Sequence, residues 1–150
     1  MMEGSCPIGL WHVHVFWHGA TVNQVRFSRT PLPGPVPVQV RRYCAGYVED
    51  FSGLTSSALS PDYPYSAIYR EVRAIPYGET RTYGRVGSAL HVSPRLVGLA
   101  MKRNPTPLLV PCHRVVSKDG LGGFSPDPEL KRVLIDMEKR NKVFYRGDDK

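Results

Sequence analysis

The run Pro111-Cys112-His113-Arg114 sets a nucleophile, a proton acceptor and a fixed cation in consecutive positions. A cysteine attacks as its thiolate, and cationic neighbours or a helix N-terminus lower the thiol pKa, so this setting favours the nucleophilic form. His113 cannot easily share one side of a strand with Cys112. In a turn or a helix start it reaches the thiol directly or through a water and acts as its base. A carboxylate would have to orient such a base, and Glu138, in a helical pattern near the C-terminus, is the candidate. A plainer reading stands beside each role. Cys112 follows Leu108-Leu109-Val110 and would pack as a small buried hydrophobe, and Glu138 beside Lys139 and Arg140 would be a solvated charge.

The elements that must hold these residues follow from periodicity and capping signals. Glu129 to Lys139 forms a helix with Leu130, Val133, Leu134 and Met137 toward the core, and Lys118 to Phe124 is a glycine-bearing loop. Upstream, Ser93-Pro94 starts a helix that runs to about Arg103 and stops at Asn104-Pro105. Thr82 caps a shorter helix from Tyr83 to Leu90, and Leu90-His91-Val92 joins the two. The pair has the form of a helix-turn-helix whose second helix carries Arg95, Lys102 and Arg103. Before it, Ile68, Val72 and Ile75 share a helical face, with Ser66 as N-cap and Pro76-Tyr77-Gly78 as terminator.

In the first half, Ile8 to Trp17 and Thr21 to Phe27 alternate in the manner of strands around the turn His18-Gly19-Ala20. Prolines between 31 and 37 mark an irregular connector. From Val38 to Phe51 the residues Val40, Tyr43, Cys44, Tyr47, Val48 and Phe51 fall at helical spacing, with Arg41 and Arg42 on the wet side and Gly53 as the end. Ser56 to Tyr65, with two prolines, is a linker.

Charge divides at the same place. Residues 1–65 hold four arginines and four acids, so the net +7 of the 150-residue chain lies wholly in residues 66–150. A basic half is either a solubilising surface or the footprint of a phosphate backbone. No run approaches the roughly 20 apolar residues of a membrane span, and the first ten residues lack the pattern of a secretory signal, so a cytosolic protein is expected. Three cysteines, 6, 44 and 112, are too few and too scattered for a disulfide framework or a metal knuckle.

Four segments taken together carry a resemblance: Ile75-Pro76-Tyr77-Gly78-Glu79-Thr80-Arg81-Thr82-Tyr83-Gly84, Arg95-Leu96-Val97-Gly98, Lys102-Arg103-Asn104-Pro105 and Pro111-Cys112-His113-Arg114-Val115-Val116. In order and spacing they closely resemble the O6-alkylguanine-DNA alkyltransferases, over roughly residues 65 to 140. The resemblance implies an α+β protein of two lobes. Residues 1–60 would form an RNase H-like lobe with a small antiparallel sheet and a helix, and residues 61–150 a helical lobe with a winged helix-turn-helix. It implies DNA repair by direct reversal, in which an alkyl group passes irreversibly from guanine O6, with O4-alkylthymine as a second possible substrate, to the protein's own cysteine. No cofactor and no metal would be needed, and the protein would act once, as a monomer, in the cytoplasm or nucleus.

Carried over by residue, the resemblance makes Cys112 the alkyl acceptor, His113 its water-linked base, Glu138 the orienting carboxylate and Asn104 the tie between recognition helix and active-site segment. Tyr83 would touch the 3′ phosphate and the flipped base, and Arg95 would fill the gap left in the stack. Ser93, Arg103 and Arg114 would complete the DNA contacts. The Val115 carbonyl, the Ser125 amide and Phe124 would meet the base. The partner would be double-stranded DNA, entered from the minor groove, where sequence readout is poor. Two departures stand out: Gly123-Phe124-Ser125 continues into Pro126-Asp127-Pro128 where the family has glycines, and Leu96 stands where alanine is common.

Three histidines and Cys6 near the N-terminus suggest a zinc site, but no ligand spacing supports one. Cys6 and Cys44 are close enough in kind to form a disulfide in an oxidising or thermophilic setting. Two rival functions remain. An alkyltransferase-like protein that binds lesions without transfer would lack the acceptor that Cys112 supplies. A Cys-His hydrolase would leave Tyr83, Arg95 and the basic helix-turn-helix unexplained.

Overall fold

The computed structural model describes residues 1–148. Alternating valines build the N-terminal sheet: Val13 and Val15 of β2 (Trp11–His18) face Val22 and Val25 of β3 (Thr21–Ser28) on one buried side. The turn at 19–20 relies on Gly19, whose φ of 58° suits glycine. Two strands were not expected. β1 (Met2–Ile8) pairs antiparallel with β2, Cys6 opposite Val13, and β4 (Thr55–Ser56) adds in parallel to β3, giving the order β1-β2-β3-β4. Gly4, Ser5 and Pro7 give β1 almost no strand propensity, so pairing supplies what composition lacks.

The helix expected over 38–51 is shorter. α1 (Val38–Cys44) ends before Gly46, whose φ of 95° leaves the helical region. Phe51 still reaches the core through an irregular segment, its amide bonded to the Glu49 carboxylate, whereas Tyr47 is exposed. The expected linker also has structure, since it carries part of β4 and a single 3₁₀ turn at Ser57–Leu59 capped by Ser56.

α2 (Ser66–Arg73) buries Ile68, Tyr69 and Val72, but its N-cap is Tyr65 in the left-handed region, without a side-chain cap bond, and not Ser66. The next two helices start where their caps indicate. Thr82 accepts from the Arg85 amide at the start of α3 (Tyr83–Leu90), and Ser93 accepts from the Leu96 amide at the start of α4 (Pro94–Lys102). The short strands β5 (Arg81–Thr82) and β6 (Val115–Val116) pair in parallel beside α3.

The final helix, α5 (Pro128–Asp148), runs past Lys139 at its far end. Leu130, Leu134 and Met137 are buried as expected. Val133 is 42% exposed, and Lys131 and Glu138 take buried positions instead, because the inward stripe follows 130, 131, 134, 135, 137 and 138.

Two apolar clusters result. One joins the sheet and α1 to the α5 stripe, and the other packs α2, α3 and α4 around Tyr69, Val97 and Val110. Phe124 touches both. The chain is thus the mixed, two-lobed α/β fold that the sequence led us to expect. The Cys6 and Cys44 sulfurs meet at 3.1 Å as free thiols. Among the described residues no helix is long and apolar enough to cross a membrane.

Candidate active site

Pro111 leads into a single 3₁₀ turn, Cys112–Arg114, closed by the Arg114 amide bonding to the Pro111 carbonyl at 2.9 Å. A turn fans consecutive side chains apart, so Cys112 parts from His113 and Arg114, and all three are buried. His113 points to α5, where Nε2 lies 2.5 Å from Glu138 Oε2. Arg114 also points there: its Nε donates to Oε1 at 2.8 Å, its Nη2 to Oε2 at 3.1 Å and its Nη1 to the Ile75 carbonyl at 2.8 Å. The Gly78 amide donates to Oε1 at 3.0 Å and the Tyr43 hydroxyl to Oε2 at 2.5 Å. Every lone pair of one buried carboxylate is taken.

Burial alone would raise the Glu138 pKa, but His113 and Arg114 beside it hold it well below the usual carboxylate range. Burial pushes His113 down from its ordinary 6.5, against the pull of Glu138, so the ring is neutral at neutral pH. With Nε2–H donating to Glu138, Nδ1 carries the lone pair, and it has no partner among the described residues. This ring is therefore held as a base with its accepting atom free.

Cys112 contradicts the expectation of a ready thiolate. Its basic sequence neighbour Arg114 is spent on Glu138, and burial pushes the thiol up from 9.0 despite the Asn104 side chain and the Lys131 charge, which both work to lower it. The thiol rests protonated and needs a base.

Cys112 lies in the wall of a cavity of about 530 Å³ together with Tyr83 of α3, Met101 of α4, Asn104, Phe124 and Ser125. Asn104 donates to the Val110 carbonyl at 2.8 Å and accepts from the Thr106 amide at 3.0 Å, tying the end of α4 to the segment that leads to Cys112. The 123–125 loop forms another wall, backed by Phe27 of β3, whose ring centroid lies 5.9 Å from that of Phe124. Just before it, Gly122 has a φ of 77°, and a Cβ there would stand 2.9 Å from the Tyr83 hydroxyl.

Ser93 and Arg95 stand exposed at the start of α4, and Arg103 at its far end bonds to the Tyr65 hydroxyl at 3.3 Å. Two expected residues are engaged within the protein. Arg114 is 5% exposed and fully engaged, so it braces the carboxylate and does not face DNA. Val115 is buried in β6, and its carbonyl already accepts from Lys131 Nζ at 2.7 Å.

Lys131 is a site residue that sequence reasoning missed. Fully buried on α5, it also donates to the Gly123 carbonyl at 3.2 Å and lies 3.5 Å from the Tyr83 hydroxyl, and burial pulls its pKa down to about 8. The available signal was its place between Leu130 and Leu134 on the inward stripe.

Set beside known proteins, residues 64–140 match the family described as 6-O-methylguanine DNA methyltransferase, DNA binding domain. The chain belongs to this family. A methylated-DNA–protein-cysteine methyltransferase of Methanocaldococcus jannaschii is 47% identical over 75 residues, covering 50% of this chain and 45% of that protein. Its namesake in Metallosphaera sedula is 51% identical over 71 residues, 47% of this chain and 46% of the relative. The chain thus spans about half the length of these curated relatives. Among solved structures, OGT of Mycobacterium tuberculosis in complex with DNA superposes with a TM-score of 0.75 at 29% identity, covering 91% of this chain and 92% of that one. The O6-methylguanine-DNA methyltransferase of Pyrococcus kodakaraensis gives 0.72 at 29% identity, covering 92% and 99%.

Proposed function

We propose that the protein repairs double-stranded DNA by moving the alkyl group of an O6-alkylguanine onto Cys112 Sγ, once per molecule and as a monomer. The observation that carries this reading is the placement of Cys112. Cys112 lines the cavity, and its chain neighbour His113 is backed by Glu138 with Nδ1 left without a partner among the described residues. In the reaction, His113 Nδ1 takes the thiol proton through a bridging water, and the thiolate attacks the alkyl carbon. A C–S bond forms as the C–O6 bond breaks, and the electron pair of that bond goes to O6. The guanine anion takes up one proton at N1 from water while His113 returns the thiol proton to water, so the net transfer carries one proton from the thiol to the guanine. The thioether is stable, so the protein is consumed.

The cavity cannot be reached by a stacked base, so the lesion must leave the helix at a cost of a few kcal/mol. Arg95, exposed in the first turn of α4, is suited to fill the space left behind, and Ser93 at the cap and Arg103 at the far end to touch phosphates. Entry from the minor groove fits a search that must ignore sequence. At the cavity, the Ser125 amide would donate to O6 while Tyr83 and Phe124 meet the base. The reaction uses no cofactor, and the reading places the protein where DNA is, in the cytoplasm or nucleus.

The test is to incubate the protein with a duplex holding one O6-methylguanine and to weigh its peptides. One added methylene on the Cys112 peptide, without a second turnover, is the expected result. Tight binding with Cys112 unmodified would instead make the protein a lesion binder that does not transfer.

A further inference from the structure

We infer that Tyr43, on the last turn of α1 in the N-terminal half, is a positioning residue for the His113 base, acting through the oxygen of Glu138 that both share. The inference rests on the alkyl-transfer reading. It deepens that reading by giving the N-terminal half a part in the chemistry.

The geometry is a three-body contact between distant parts of the chain. Tyr43 donates to Glu138 Oε2 at 2.5 Å, His113 Nε2 stands 2.5 Å from the same oxygen, and the Tyr43 oxygen is 3.4 Å from Nε2. The three side chains are essentially without solvent contact. Tyr43 is held there by rings, with Phe51 at 5.5 Å, Tyr77 edge-on at 6.0 Å and His113 edge-on at 6.4 Å. A phenylalanine would keep all of that packing. What only tyrosine adds is the O–H, aimed at the oxygen that governs the base.

A shared acceptor divides its charge among its donors. Oε2 serves Tyr43, His113 and Arg114 Nη2, and the charge drawn toward the phenol is unavailable to stabilise a histidine cation. The phenol therefore keeps His113 neutral and able to accept a proton, while the Nε2–H bond to Glu138 leaves Nδ1 bare. The other charged or titratable groups around the ring are Arg114 on its own turn, Lys131 on α5, which like Arg114 disfavours the cation, and the neighbouring Cys112 thiol. Tyr77 faces Tyr43 and Arg114. Each is unchanged when Tyr43 loses its hydroxyl.

The experiment measures two things on the full chain, parent and Tyr43→Phe. One is the titration of the His113 ring nitrogens by NMR without DNA. The other is the pH profile of single-turnover methyl transfer from an O6-methylguanine duplex. In Tyr43→Phe the His113 midpoint is expected to rise by about half to one pH unit, and the acid limb of the rate to move up with it, slowing acid-side transfer by about three- to tenfold. In a Glu138→Gln background the same change should move neither. A fluorotyrosine placed at position 43, a stronger donor of nearly equal size, should lower the midpoint, which keeps the test open if Tyr43→Phe folds poorly. An unmoved His113 midpoint overturns the inference, and so does a moved midpoint with an unmoved rate profile. A parent protein that transfers no alkyl group overturns the reaction reading itself, which the DNA-free titration distinguishes from a failure of Tyr43.

Discussion

Arg114 grips Glu138 with two bonds, Nε to Oε1 at 2.8 Å and Nη2 to Oε2 at 3.1 Å, in a place where both side chains are almost wholly buried. Removing one partner of such a pair strands a charge away from water at a cost of about 3–5 kcal/mol. Arg114→Ala is therefore expected to lower the stability to denaturant by that order. The slope of DNA affinity against salt should stay as it was, because the guanidinium reaches no phosphate. A variant of normal stability with a reduced salt slope would return Arg114 to the DNA surface.

The same cluster makes the fold sensitive to acid. His113 has its folded pKa pushed below 6.5, so as the pH falls past 6.5 the unfolded chain takes up a proton that the folded one refuses, and stability declines. Glu138 has its folded pKa held below the ordinary 4.5. Its contribution is complete above 4.5 and is lost progressively as the pH falls below it. Denaturant midpoints should thus fall first near 6.5 and more steeply below 4.5, with the first step missing in His113→Gln. A midpoint that stays flat from neutrality to 4.5 would contradict the neutral buried ring.

What the sequence disclosed and what it hid separate by the range of the interaction. Ser93-Pro94 and Thr82 are local signals, and both helices start there because a cap concerns only three or four residues. β1 was hidden because Gly4-Ser5-Cys6-Pro7 becomes a strand only against β2. Glu138 was found as an isolated candidate, yet its five donors come from Tyr43, Gly78, His113 and Arg114, as far as 95 residues away. The cationic neighbour that the sequence sets beside Cys112 does not reach the thiol, because the 3₁₀ turn sends Arg114 to Glu138. Lys131 was passed over because a lysine is seldom fully buried.

Lys131 carries a cation near the thiol while bracing the Val115 and Gly123 carbonyls. Lys131→Met keeps length and apolar bulk but removes the charge that offsets the burial of Cys112. The thiol pKa is expected to rise further above 9.0, by about one unit, with alkylation by iodoacetamide at neutral pH slowed about tenfold. Thiolate absorbance against pH measures this directly. An unchanged thiol titration would leave Lys131 as a brace for the loop alone.

The last relationship concerns how α4 is presented. Gly87 lies inside α3 with ordinary helical backbone, yet a Cβ there would stand 2.5 Å from the Val92 carbonyl oxygen, so its hydrogen is what allows the turn to fold back and start α4 at Ser93. Gly87→Ala must push that turn outward, at a cost of about 1–3 kcal/mol, and with it the helix that carries Arg95. Both Gly87→Ala and Arg95→Ala should impair transfer from duplex DNA more than transfer from a free alkylated base, which needs no flipping. Only the first should also lower the melting temperature, because Arg95 is exposed. Equal loss on duplex and free base for Arg95→Ala would remove its role in the stack. A Gly87→Ala protein that melts and repairs like the parent would show that the turn yields without moving α4.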